Sequence, residues 1–133
     1  MRVNPQMNAS ASGTIENSYG GINEGETWGK RAAWCDYSGF VDGMHVGVAV
    51  LDHVSNPRYP TYWHVRNYGL MGTNIFGSGA FEGDKSKDGS YTLVKGEQID
   101  FRFRVYIHPG NATDSNVKNK YHDFVNPPSI TVS

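Results

Sequence analysis

Apolar and polar positions alternate with a period of two along much of this chain, and helical periodicity is almost absent. The clearest run is Phe101 to His108. Phe101, Phe103, Val105 and Ile107 face one way, and Arg102, Arg104, Tyr106 and His108 the other. Gln98–His108 is therefore predicted to be the longest strand. His45–His53 forms a second, with Val46, Val48 and Val50 on one side, and Thr61–Tyr68 a third, with Tyr62, His64, Arg66 and Tyr68 sharing a face. Shorter strands are expected at Thr27–Cys35, Ser90–Val94 and Ser129–Val132, and the polar residues 1–25 read as either a loose arm or an edge strand at Gly13–Asn17.

The breaks are equally legible. Asp42-Gly43 signals a tight hairpin. Asp36-Tyr37-Ser38-Gly39, Asp88-Gly89 and Lys95-Gly96-Glu97 read as turns, and Gly69–Phe81 as a glycine-rich loop. The one helix expected begins near Asp114 or Ser115 and runs to Phe124, with Val117, Tyr121 and Phe124 on one side. Asn126-Pro127-Pro128 stops it. The pattern predicts a single-domain, all-β antiparallel sandwich (a jelly roll or half of a larger supersandwich) with one short C-terminal helix over residues 1–133.

Composition supports this reading. Sixteen glycines and 13% aromatic residues favour short strands and many turns, and 133 residues suffice for a core. The net charge of −1 gives no electrostatic reason to expect nucleic acid or an anionic membrane as partner. No apolar run approaches a membrane span, and the N-terminal residues do not form a signal peptide. Cys35 is the only cysteine, so no intrachain disulfide can form. Together these point to a reducing, cytoplasmic setting.

The candidate chemistry lies on the polar strand faces. His64 and Arg66 suit binding or polarising a substrate oxygen, with Arg66 pairing a carboxylate. With His108 they are the catalytic candidates. Tyr62, Tyr68, Arg102 and Arg104 are the substrate-binding candidates. The two arginines stand about 7 Å apart along one strand and could clamp an anionic sugar or carboxylate. His53, His64 and His108 could together hold copper, zinc or iron, with Asp52 as a supporting partner, although their spacing matches no established metal motif. Trp34 and Trp63 are expected in the core, His45 and His122 on the surface, and Cys35 as a buried structural thiol.

Four segments occur in an order that resembles the C-terminal half of the PmoA-type family of bacterial proteins. They are Trp34-Cys35-Asp36-Tyr37-Ser38-Gly39, Gly47–His53 followed by Asn56-Pro57, Trp63-His64-Val65-Arg66-Asn67-Tyr68-Gly69, and Phe101–His108 followed by Gly110. The resemblance spans roughly Gly13 to Phe124. It implies a role in carbohydrate metabolism and, because members are typically longer, either a fragment of a longer protein or a short form whose fold is completed by self-association, since open sheet edges invite pairing.

Three functions are thus expected in turn. The first is a carbohydrate-binding or carbohydrate-modifying domain, or one taking a small carboxylate, in which His64, Arg66, Tyr68, Arg104 and His108 converge in one pocket. The second is a small copper or zinc enzyme using the three histidines. The third is a non-catalytic assembly domain. A homo-oligomer is the expected state.

Overall fold

The computed structural model describes residues 1–132. Six strands and three short α-helices follow one another along the chain. The strands are β1 (Thr14–Asn17), β2 (Trp34–Val41), β3 (Met44–Asp52), β4 (Tyr62–Val65), β5 (Met71–Asn74) and β6 (Phe103–Pro109). The helices are α1 (Asn23–Thr27), α2 (Ser78–Glu82) and α3 (Val117–Val125), and a 3-10 turn occupies Pro5–Met7. A four-stranded antiparallel sheet has the order β1-β2-β3-β6, and β4 and β5 form a separate antiparallel pair. The fold is all-β and sandwich-like with a short C-terminal helix. No helix among the described residues is long and apolar enough to cross a membrane.

The β2–β3 hairpin is the centre of the larger sheet. Its turn is Asp42-Gly43, with φ of 50° and 80°, the left-handed pair that a two-residue hairpin requires. Strand alternation then sends side chains to two cores. Cys35, Tyr37 and Val50 join Ile15 against Trp63, Val65 and Met71 of the β4–β5 pair. Trp34, Ala49 and Leu51 point the other way, against Ala112 and against Val117 and Tyr121 of α3. Both cores form because β2 and β3 are buried on both faces along much of their length.

Two polar side chains tie loops to this frame. The Tyr37 hydroxyl, buried in the first core, accepts from the Ala9 and Gly69 amides and lies within bonding distance of the Arg66 and Asn67 carbonyls. Asn56 acts as a substitute strand residue at the start of β6. Its amide donates to the Arg102 carbonyl and its carbonyl accepts from the Arg102 amide, both at 2.6 Å. Asn56 also donates to Asp52 Oδ1, while Asp52 Oδ2 accepts from the Thr61 amide. Asp52 is therefore a structural anchor for the 53–61 loop.

Several expectations need correction. Residues 1–25 are not a loose arm. Met7 and Ile15 are buried, and Met1 exchanges backbone hydrogen bonds with Met71. Asp36–Gly39 is not a turn but the middle of β2, where burial on both faces overrides the turn propensity of Asp, Ser and Gly. Thr27–Cys35 is not one strand: α1 ends at Thr27, Gly29 turns the chain with φ 68°, and β2 begins at Trp34. The glycine-rich loop contains β5 and α2, because glycine inside a short strand masks its pattern. Ser90–Val94 and Ser129–Val132 alternate but form no strand, for neither has a paired neighbour among the described residues.

The Asn56 clamp gives a direct test. Asn56→Ala strips Arg102 of both partners and Asp52 of one, and is expected to cost about 1–3 kcal/mol. Urea unfolding should show a lower midpoint with an unchanged slope. An unaltered midpoint would mean the clamp does not hold β6.

Candidate functional site

Only part of the expected His64 face forms: Tyr62 and His64 share a face of β4, which ends at Val65, so Arg66 and Tyr68 fall in the following turn. Trp63 and Val65 turn inward from β4, so Tyr62 and His64 turn outward. Trp28 Nε1 donates to His64 Nδ1 at 3.2 Å. Phe81 packs against Trp28, Tyr62 and His64 with ring centroids 5.3, 5.4 and 6.0 Å apart. The Arg31 guanidinium lies 5.3 Å from the Tyr62 ring, and the Tyr62 hydroxyl donates to Glu82. Tyr62 is consequently enclosed rather than open as a sugar platform. Tyr68 is more exposed, yet the Arg2 and Arg66 guanidiniums lie 5.3 and 5.4 Å from its ring centroid. Arg66 Nε sits 2.6 Å from Glu24 Oε1 in an ion pair.

A depression of about 420 Å³ beside this face is lined by Arg31, Arg58, Tyr62 and Asp88. Its arginines are already engaged as loop staples. Arg31 donates to the carbonyls of Arg58, Tyr59 and Pro60, and Arg58 to those of Ile75, Gly89 and Ser90.

The other predicted residues lie across the main sheet. Arg104, Tyr106 and His108 share the α3 face, as their alternation predicts. The Arg104 guanidinium stands 4.6 Å from the Phe124 ring, and the Tyr106 hydroxyl donates to the Ser115 carbonyl. Arg102 precedes β6 and is exposed. The first core and two sheets separate this face from His64, so His64, Arg66, Tyr68, Arg104 and His108 do not converge. His53 packs on Phe124 and contacts Ser55 Oγ. His53, His64 and His108 therefore occupy three different environments. No group of three or more His, Cys, Asp or Glu side chains that could hold a metal occurs among the described residues.

His108 is the buried exception. Its Nε2 lies 2.6 Å from Asp36 Oδ1, and both side chains are removed from solvent. Its Nδ1 lies 3.1 Å from the Pro109 carbonyl, which can only accept. Gly47, opposite His108 in the β3–β6 register, makes room for the ring. A Cβ there would stand 2.3 Å from His108 Cε1. Burial disfavours the imidazolium, but the bonds to Asp36 and Pro109 outweigh it, and the pKa of His108 lies above the ordinary 6.5. Burial raises the Asp36 carboxyl despite the His108 bond, and Asp36 Oδ2 has no hydrogen-bond partner.

Asp36 also pairs across the β1–β2 ladder with Glu16 on the same face. Burial, then the charge of Asp36, raises the Glu16 pKa. Glu16 opens into a cleft of about 310 Å³ between the β1 edge, the following turn and the loop entering α3. Ser18, Trp34, Thr113, Asn116 and Lys118 complete its wall. Glu16 and Lys118 form no ion pair among the described residues. Sequence reasoning missed this cleft, because its walls come from three segments that only the fold brings together.

The buried pair has a pH signature. The folded chain binds protons at His108 and Asp36 more tightly than the unfolded chain does. Stability from His108 is then fully present below pH 6.5 and is lost as pH rises through the higher folded value. Asp36, raised above 3.8, acts in the same direction. Urea midpoints are expected to fall from pH 6 to pH 9, and the Asp36→Asn, His108→Gln double variant should flatten that decline. An equally steep decline in the double variant would assign it elsewhere.

No curated protein and no solved structure matches the chain. A match to one family profile covers residues 1–122. This corrects the PmoA-type resemblance, which rested on the order of four short segments. The chain belongs to the family of unknown function DUF6807.

Proposed function

We propose that this chain is a carbohydrate-binding β-domain whose ligand enters the cleft between β1 and the α3 loop. The observation that carries this reading is a charged pair, Glu16 and Lys118, facing one cleft without ion-pair partners among the described residues. Convergent polar groups in a concave site are what orient a hydroxylated ligand. Glu16 accepts from sugar hydroxyls, Lys118 donates to ring or carboxylate oxygens, and Thr113 and Asn116 add neutral partners. Trp34, a largely buried residue of the cleft lining, supplies an apolar border for a sugar C–H face. At about 310 Å³, the cleft lies at the small end of ligand pockets and suits one sugar ring better than a long oligosaccharide.

A second reading follows from Glu16 facing Asp36 with both pKa values raised. Carboxyl pairs whose affinity for protons is raised suit general-acid work, and His108 lies within reach of Asp36 to return a proton to it. In this reading the cleft modifies the sugar it binds, with Glu16 the group that touches substrate and Asp36 and His108 positioning it.

Calorimetric titration with neutral hexoses and hexuronates tests both readings. Glu16→Gln and Lys118→Ala are each expected to weaken binding about tenfold, or about 1.4 kcal/mol, with the melting temperature nearly unchanged in Lys118→Ala, whose side chain is exposed, and not lowered in Glu16→Gln, where burial and Asp36 already disfavour the charge. Binding that survives both changes but is lost in Arg66→Ala would move the site back to the β4 face. Turnover of a bound glycoside that disappears in Glu16→Gln would favour the second reading.

A further inference from the structure

The face of β6 opposite α3 is unfinished. β6 pairs with β3 on one edge only. The Gly110 amide donates to the His45 carbonyl, which sets the phase of the ladder: Arg104, Tyr106 and His108 bond toward β3. The amides and carbonyls of Phe103, Val105 and Ile107 therefore point outward. Their side chains lie on the face of Val46, Val48 and Val50 and are 38%, 52% and 79% exposed. Edge strands with such a row are templates for pairing.

The opposite wall is unfinished too. β5 pairs with β4, and beyond β5 the Met1 backbone bonds to Met71. By the same alternation the backbone of Thr73 faces outward. Between the two edges run joined apolar depressions. One of about 340 Å³ includes Val3, Met7, Val48, Val105 and Ile107 in its lining. The next, about 190 Å³, is bordered by Trp63, Met71, Thr73, Phe103 and Val105. Because Thr73 and Phe103 border one depression, the open edges of β5 and β6 face a common apolar trough.

The chain also carries an unpaired segment with strand alternation. Ser129-Ile130-Thr131-Val132 follows the stiff Pro127-Pro128 pair and alternates polar with apolar residues. It pairs with nothing among the described residues, and Ile130 and Val132 are 87% and 91% exposed. Period-two geometry puts these two side chains on one side.

We propose that the β5–β6 trough receives the 129–132 segment of a second copy of this chain as an added strand. Ile130 and Val132 enter the trough, and the segment's backbone bonds to the outward groups of Phe103, Val105 and Ile107. This is strand addition, in which backbone hydrogen bonds supply affinity and alternate side chains supply fit. The proposal is independent of the sugar cleft, which lies on the other face of the sheet.

Sedimentation velocity across a concentration series tests it, with amide exchange at Phe103, Val105 and Ile107 as a second readout. The full chain is expected to self-associate with those amides protected. Ile130→Asp with Val132→Asp should be monomeric, lose that protection and keep the same circular dichroism. Val105→Asp should also be monomeric. A full chain that stays monomeric overturns the proposal, even with protected amides, since its own tail would then fill the trough. Self-association that survives the tail substitutions also overturns it and assigns the contact to direct pairing of two β6 edges.

Discussion

The β2–β3 ladder is the constraint from which the rest of the structure follows. Eight residue pairs, from Trp34↔Leu51 to Val41↔Met44, align two strands that are buried on both faces over much of their length. A strand buried on one face needs one covering layer. One buried on both needs two, and the β4–β5 pair and α3 are those layers. The register also places Asp36 and Ala49 on the α3 face and Tyr37 and Val48 on the other. A slip of one residue would send Asp36 into the apolar core and Tyr37 away from the four backbone groups its hydroxyl serves.

The two covering layers differ, and so do the opportunities they create. On the α3 side the sheet buries polar groups in partnership, chiefly Asp36 with His108, and leaves a polar cleft at the β1 edge. On the β4–β5 side the cover stops short of β6, and apolar side chains remain in water. A polar cleft and an apolar trough call for different occupants, a small hydroxylated ligand in one and a length of polypeptide in the other.

Polar side chains that look like chemistry in the sequence are largely architecture in the fold. Arg31 and Arg58 staple loops through backbone carbonyls, and Asn56 completes β6. Asp52 anchors a loop through the Thr61 amide. Loops that carry many backbone groups near a core must satisfy them, and long polar side chains do so where no strand can. The same accounting explains why the His64 face, correctly read as polar and aromatic, is already filled by Trp28, Phe81 and Arg31.

Local rules suffice for part of this protein. Alternation at 45–53 and 101–108 locates β3 and β6 and sorts their faces correctly, because a pleated backbone admits one periodicity, although β6 is Phe103–Pro109 rather than the longest strand expected over Gln98–His108, and β3 is longer. Asp42-Gly43 locates the hairpin, because few residue pairs tolerate two left-handed conformations in succession. The 114–124 helix is legible from its apolar stripe, and Trp63 reads as core from its size and its strand. Other features required the tertiary structure. Asp36-Tyr37-Ser38-Gly39 has turn chemistry but is drawn into a strand by neighbours on both sides. Alternation alone does not make a strand either, as Ser90–Val94 and Ser129–Val132 show by lacking a partner ladder among the described residues. Above all, the placing of His64 and His108 on opposite sides of the core, and of Glu16 beside Lys118, depends on which sheets and loops stack together. That is set by long-range burial, which acts between residues far apart in the chain and leaves no mark in local periodicity.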